Sequence, residues 1–286
     1  MLFFIWILFI TDTFLEHCNA TVAKILHNIM IREETVFGPI FSRRLGSSLG
    51  INLLPERGKI CNFDCIYCEC GWNRDGRDDT VLPSAAKVRG DLERMLLKLK
   101  QQDTPVDSIT FSGDGEPTLN PEFPAIIDDT LRLRDLHYPQ AKVSVLSNAT
   151  RVHLPEVFAA LRRVDNPIMK IDAPSNELIA KINIPAPGYD LSRVVEALRG
   201  FGGDFVLQTC MLRSPDFDSS SPEVVSGLLD IVRLLRPREW MVYTIDRPTP
   251  MQGLQKFTPQ EMKTLVQPII DEGITQVQIK GAVEDC

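Results

Sequence analysis

At 286 residues, with 44% hydrophobic and 24% charged side chains, the chain is long enough for one large α/β domain and too apolar for intrinsic disorder. A formal net charge of −7 gives no bulk attraction to phosphate backbones, which leaves any nucleic-acid site to a local basic patch. Seven cysteines, three of them within eight positions, argue for a metal site over a disulfide framework, and the four scattered histidines have no zinc-ligand spacing.

The chain opens on nine apolar residues, LFFIWILFI at positions 2–10. A membrane-spanning helix needs about 20. Three readings stay open: a start placed upstream of Met30, a weak export signal ending near Cys18-Asn19-Ala20 without a basic leader, or a structural segment. The predicted division is an N-terminal extension, residues 1–29, and one catalytic domain, residues 30–286. Next comes VFGPIFSRRLGSSLGINLLP, residues 36–55, where Arg43 and Arg44 either grip a phosphate or carboxylate or solvate a loop. Residues 50–54 (GINLL) are predicted as the first strand.

A cysteine loop follows, then a helix over 84–100 with Leu92, Met95, Leu96 and Leu99 on one face. Strands are predicted at 107–112, 142–147, 167–172, 205–212 and 240–245. Helices at 121–136, 154–164, 191–199 and 222–235 alternate with them. A tail helix over 259–271, opened by Thr258 as N-cap, precedes a last strand at 274–279. Six or seven βα repeats predict an α/β fold: a partial (β/α)6-type TIM-like barrel with a C-terminal helix and strand. Chemistry in such barrels sits at the C-terminal strand ends, where each motif below falls.

Residues 58–71 read GKICNFDCIYCECG. Cys61-x3-Cys65-x2-Cys68 places three thiolates on one tight loop. A cubane cluster has four irons, so three thiolates leave one iron open. S-adenosylmethionine can chelate that iron through its amino and carboxylate groups. Electron transfer into its sulfonium then yields a 5′-deoxyadenosyl radical, chemistry that belongs to the cofactors. The alternative is a zinc knot on Cys61, Cys65, Cys68 and Cys70, which crowds four ligands where zinc sites draw two from a distant segment. Cys70 otherwise reads as a neighbour of the cluster or as a functional extra thiol.

Directly after a strand, FSGDGEPTL at 111–119 supplies Gly113 and Gly115 for close backbone approach. Such a turn, with Asp114 and Glu116, can aim acceptors at the ammonium of a bound methionine, or be an ordinary strand–helix turn. Ser147 and Asn148 end SVLSNAT, where short polar side chains hold ribose or carboxylate groups, or else cap a turn. Gln208 on the fifth strand points into the barrel toward cofactor or substrate, or is a satisfied core amide. Lys170 and Asp172, two apart on a strand, share a face. They are the candidate catalytic residues, with a rim ion pair as the alternative. Lys170 would bind a carboxylate, form a Schiff base or donate a proton.

The cysteine spacing with Tyr67 before the last cysteine resembles the signature of the radical S-adenosylmethionine superfamily. In that family the Tyr67 position lies against the adenine, and a glycine-glycine-glutamate turn ends the second strand. Asp114-Gly115-Glu116 stands in its place here and departs at one glycine. CNFDCIYCECG, SGDGEPTLNPEF and KIDAPSNELIAKIN together look like the Fe–S oxidoreductase group related to tRNA 4-demethylwyosine synthase. The chain departs from that enzyme in having only Cys18 upstream of the motif and no fused flavodoxin-like domain. The resemblance implies a 4Fe–4S cluster on Cys61, Cys65 and Cys68, S-adenosylmethionine as second cofactor, and an electron donor of ferredoxin or flavodoxin type. It implies a substrate such as a tRNA base, and an oxygen-sensitive cluster fits a cytoplasmic location without stable membrane association. Two other readings carry the same motif: an activase that installs a radical on a partner protein, and an electron-transfer protein that only holds a cluster.

Overall fold

A computed structural model describes residues 34–42, 46–75 and 79–281. The predicted extension, residues 1–29, and Arg43 and Arg44 lie outside the described residues. Strands β1 (Val36–Ser42) and β2 (Gly46–Ile51) pair antiparallel. From β2 onward the sheet is parallel, in the order β2, β3 (Ser108–Phe111), β4 (Lys142–Ser147), β5 (Asn166–Lys170), β6 (Val206–Ser214), β8 (Glu239–Thr244) and β10 (Gln276–Lys280). Two short strands, β7 (Phe217–Asp218) and β9 (Gln255–Lys256), pair with the end of β6. The first and last strands of this order do not pair, so the sheet is an open, partial barrel as predicted.

The first strand lies earlier than predicted. Gly46–Ile51 enters the sheet, whereas Leu53 and Leu54 leave it, with Leu54 N–H bonded to the Asn52 side chain at 3.1 Å. GSSLG reads as loop by composition. It is a strand because it pairs with β1, and Gly50 leaves room for the Phe37 ring, which a Cβ would meet at 2.1 Å. No periodicity announced β1 or the short helix at Asn176–Ile182, which is held by its Ser175 N-cap.

Seven α-helices are described: α1 (Ala85–Gln101), α2 (Phe123–His137), α3 (Pro155–Leu161), α4 (Asn176–Ile182), α5 (Leu191–Arg199), α6 (Pro222–Leu235) and α7 (Pro259–Glu272). The buried face of α1, Val88, Leu92, Leu96 and Leu99, repeats at helical spacing and packs on the outer side of the sheet. Thr258 caps α7 as predicted, with Glu261 returning the bond to close a capping box. No helix among the described residues is long and apolar enough to cross a membrane.

Strand alternation sorts the two sheet faces. Leu49, Ile109, Phe111, Val143, Val145, Leu207 and Val242 join the main core under the helices. Ile168, Val206 and Met241 form a separate small cluster with Leu146 on the opposite, inner face. Above that floor the same alternation brings Lys170, Gln208 and Tyr243 to the strand ends.

The bottom of the sheet is tied by Asp165. Burial would raise its carboxyl, but the Val143 N–H at 2.9 Å and Arg134 at 2.7 Å outweigh it and hold the group below the usual carboxylate range. A depressed carboxyl stabilises the fold above its unfolded value of about 3.9 and loses that contribution as pH falls through its folded value. Asp165→Asn is therefore expected to lower stability at pH 7 by about 1–2 kcal/mol. The gap from wild type should close in acid below the folded value; an equal gap at both pH values in urea unfolding would contradict this.

Candidate active site

The C-terminal ends of the parallel strands open into a cavity of about 480 Å³. Cys61, Cys65 and Cys68 line it from the loop after β2, and Lys170, Gln208 and Tyr243 line it from the inner face of the sheet. Ile40 and Phe41 stand at it from β1, with Phe41 82% exposed.

The cysteine loop is clamped from several sides. Ile60 N–H bonds to Asp114 C=O, and Glu116 N–H bonds back to Ile60 C=O, each at 3.1 Å. Asp64 N–H and Ile66 N–H bond to the carbonyls of Asn183 (2.9 Å) and Ile182 (3.0 Å). A Cβ on Gly115 would stand 1.9 Å from the Ile60 carbonyl oxygen, and one on Gly113 would stand 2.0 Å from Asn52 Oδ1. Both glycines serve close approach: Gly115 to the backbone of the cysteine loop and Gly113 to Asn52, the residue after β2.

All three cysteines are unpaired. Burial pushes the Cys61 and Cys65 thiols up, Cys65 to about 12. Cys68 is held low, at about 6, by a hydrogen bond from Cys70 and, against the cost of burial, by the Lys59 ammonium. Lys59 is itself buried, with Nζ on Gly71 C=O at 2.5 Å and Asp64 Oδ1 at 3.4 Å. Asn148 Nδ2 lies 3.7 Å from Cys61 Sγ, and Asn183 Nδ2 lies 3.3 Å from Cys65 Sγ. Each sulfur therefore has a buried donor beside it. Cys70 also faces Asp114 Oδ1 at 3.6 Å. Among the described residues no group of three or more His, Cys, Asp or Glu side chains is arranged around a single metal ion. Three free thiols lining one cavity suit the separate corners of a cluster, and soft sulfur ligands suit iron–sulfur chemistry.

The predicted cofactor residues divide into two groups. Gln208 is 5% exposed, lines the cavity and has no hydrogen-bond partner for its amide among the described residues. The others spend their side chains on the protein. Glu116 accepts from Thr118 N–H and Oγ–H, Ser147 Oγ–H and Asn148 N–H, and burial still pushes its carboxyl up. Asn148 takes Thr150 N–H and Oγ–H on its oxygen and donates to Asn62 Oδ1 at 2.7 Å, so it braces the cysteine loop. Asp114 is a correction: it does not line the cavity, because its residue is wholly buried beneath the loop. Tyr67 lines the cavity, but its hydroxyl donates to Asp172.

Lys170 and Asp172 do share a face, with Nζ and Oδ1 3.9 Å apart. Their roles separate. Lys170 reaches the cavity, with Nζ on Tyr243 Oη at 2.7 Å and over the rings of Tyr67 and Tyr243 at 5.3 and 5.1 Å. Burial alone would lower its ammonium; Asp172, then Tyr243 and Cys210, outweigh burial and hold it above its ordinary value. A lysine kept charged binds anions or donates a proton; the Schiff-base role needs the neutral amine. Asp172 stands behind Lys170 and Tyr67. It is 1% exposed, does not line the cavity, and accepts from Tyr67, Asn183 Nδ2 (2.7 Å) and Cys210 N–H (2.8 Å). It is a buried positioning carboxylate. Lys59, Asn183 and Tyr243 were missed in the sequence; only Lys59, two residues before the first cysteine, carried a positional hint.

The family model of the radical SAM superfamily matches residues 56–216, more than half of the chain and the whole span from the cysteine loop to β6. The chain belongs to the radical SAM superfamily. That superfamily uses a 4Fe–4S cluster and S-adenosylmethionine, and its members with this fold are enzymes. The radical SAM chain is 30% identical over 226 residues to a UPF0026 protein of Synechocystis, covering 76% of itself and 77% of that protein. It is 28% identical over 238 residues to a protein of Brachyspira hyodysenteriae named GTPase Obg, covering 82% of itself but only 33% of that relative. Among solved structures it resembles a radical SAM methyltransferase from Sphaerobacter thermophilus, with TM-score 0.62 and 13% identity over 86% of this chain and 69% of that one. It also resembles TYW1 with a lysine–pyruvate adduct bound, with TM-score 0.57 and 12% identity over 86% and 80%. At these identities the structural likeness establishes the radical SAM fold.

Proposed function

We propose that Cys61, Cys65 and Cys68 hold a 4Fe–4S cluster with one iron open to S-adenosylmethionine, and that this chain abstracts hydrogen from a substrate admitted to the same cavity. The observation that carries the reading is three unpaired thiols on the wall of a cavity whose inner face also presents Lys170 and the Gln208 amide. When bound, such a cofactor pair supplies a carbon radical on one-electron reduction. The residues of the chain position and shield. Gly115 lets the turn after β3 close on the cysteine loop, Gly113 lets it pack on Asn52, and Glu116 ties that turn to the end of β4 through Ser147 and Asn148. Lys170 offers a fixed cation to an anionic group of cofactor or substrate, and Gln208 offers both a donor and an acceptor. The family resemblance implies an external reductant of ferredoxin or flavodoxin type. The resemblance to the tRNA 4-demethylwyosine synthase group makes a tRNA base the first substrate to test.

The test is anaerobic reconstitution, dithionite reduction and assay for 5′-deoxyadenosine, with Cys65→Ala alongside. Wild type should bind iron and sulfide and release product, and Cys65→Ala should release none. Wild type that binds no cluster, or a variant that cleaves S-adenosylmethionine as well as wild type, would refute the assignment.

A further inference from the structure

Two buried asparagines meet the cysteine sulfurs in a way the superfamily signature does not describe. Asn183 follows the last residue of α4 and is 1% exposed. Its Nδ2 lies 2.7 Å from Asp172 Oδ2, 3.3 Å from Cys65 Sγ and 3.2 Å from Tyr67 Oη. A carboxylate accepts only, so the amide nitrogen, not its oxygen, must face Asp172. That nitrogen carries two hydrogens. Asp172 takes one, and the other is shared between Cys65 Sγ and the Tyr67 hydroxyl oxygen, whose own hydrogen goes to Asp172. Asp64 N–H and Ile66 N–H hold the backbone of residues 182 and 183 against the cysteine loop, and the bond to Asp172 holds the amide.

Asn148 repeats the logic on Cys61. Thr150 N–H and Oγ–H occupy its oxygen, which fixes the amide the same way round. One hydrogen goes to Asn62 Oδ1, and the other faces Cys61 Sγ at 3.7 Å, beside the Phe63 N–H at 3.4 Å. The two asparagines come from different strand ends, β4 and the segment after β5, and converge on two of the three sulfurs.

We infer that Asn183 and Asn148 are positioning residues that donate N–H···S hydrogen bonds to Cys65 and Cys61 and thereby raise the reduction potential of the cluster these cysteines bind. The inference rests on the cluster assignment proposed above. Reduction adds negative charge to the cluster and its thiolates, and a donor aimed at a ligand sulfur stabilises the reduced form more than the oxidised one. Hydrogen bonds to the sulfurs are among the levers that set cluster potential. The donors also matter because the site is buried, where a dipole of fixed orientation acts at low dielectric.

The experiment uses the full chain, reconstituted anaerobically, and follows reduction by EPR at controlled potential. Asn183→Leu keeps the branching at Cγ and removes the donor. It should retain iron and sulfide at wild-type stoichiometry and titrate at a more negative potential. A tenfold weaker reduction equilibrium corresponds to about 59 mV for this one-electron couple. An unchanged potential with a full cluster would overturn the inference and leave the cluster assignment standing. Because Asn183→Leu also deprives Asp172 of a partner, a second measurement needs no variant. Wild type carrying 15N-labelled asparagine side chains should show 15N hyperfine coupling to the reduced cluster in pulsed EPR. No coupling would overturn the inference, and wild type without any cluster would overturn both proposals.

Discussion

Gly115→Ala is expected to cost this chain most of its bound iron while leaving the barrel folded. Gly115 has φ +138°, a region that L side chains rarely adopt. An added Cβ would stand 1.9 Å from the Ile60 oxygen, 2.6 Å from the Ile60 carbonyl carbon and 2.7 Å from Leu54 Cδ1. The nearest atoms are backbone and cannot rotate out of the way. Ile60 must move, and Cys61 is the next residue. The two hydrogen bonds that tether Ile60 to Asp114 and Glu116 would break with it. Overpacking of this kind costs about 1–3 kcal/mol, which a domain with this core survives, but the first thiol would no longer stand in line with Cys65 and Cys68. Iron and sulfide per chain after anaerobic reconstitution, read beside far-ultraviolet circular dichroism, checks the outcome. A full complement of iron in Gly115→Ala would mean that the turn does not position the loop.

The second large effect belongs to Asp172. Asp172→Asn preserves shape but removes the only carboxylate within ion-pair distance of the Lys170 ammonium among the described residues. It also puts an amide where Tyr67, Asn183 and the Cys210 N–H all present donors. Stranding a buried charge costs about 3–5 kcal/mol, so urea unfolding of the reduced, metal-free protein should show a loss in that range. Lys170→Met should cost less, because Asp172 keeps three donors when the ammonium is gone. The double variant Lys170→Met, Asp172→Asn should fall well short of the sum of the two losses, since the residues share one network. Additive losses, or a cost for Asp172→Asn near zero, would show that the carboxylate is not the group holding this cluster of side chains together. A Schiff-base role for Lys170 would first require dismantling this same arrangement.

These effects concern residues whose types were legible and whose partners were not. Cys61, Cys65 and Cys68, the proposed cluster ligands, announce themselves by spacing, because three thiols this close in sequence come to one short loop. The Lys170–Asp172 pair was legible as a shared face, because strand side chains alternate with period two. That Lys170 reaches the cavity while Asp172 lies under Tyr67 was not, since alternation gives a face and no depth. Asp114 was read as part of a cofactor turn because it stands between two glycines, yet the turn rotates it beneath the loop. Asn183, 118 positions from Cys65 in the chain, offered no local signal at all.

Local chemistry carries the parts of this protein that depend on neighbours in sequence. The cysteine spacing, the repeat of strand and helix and the glycine turn at a strand end are of this kind, because ligand geometry, backbone period and steric freedom act over a few residues. The tertiary structure alone decided which side chains share the cavity, which are spent bracing the loop, and which donors face the sulfurs. Those outcomes depend on how seven parallel strands stack their ends, and the register that brings Asn148, Asp172 and Asn183 to the same loop is set by packing across the whole sheet.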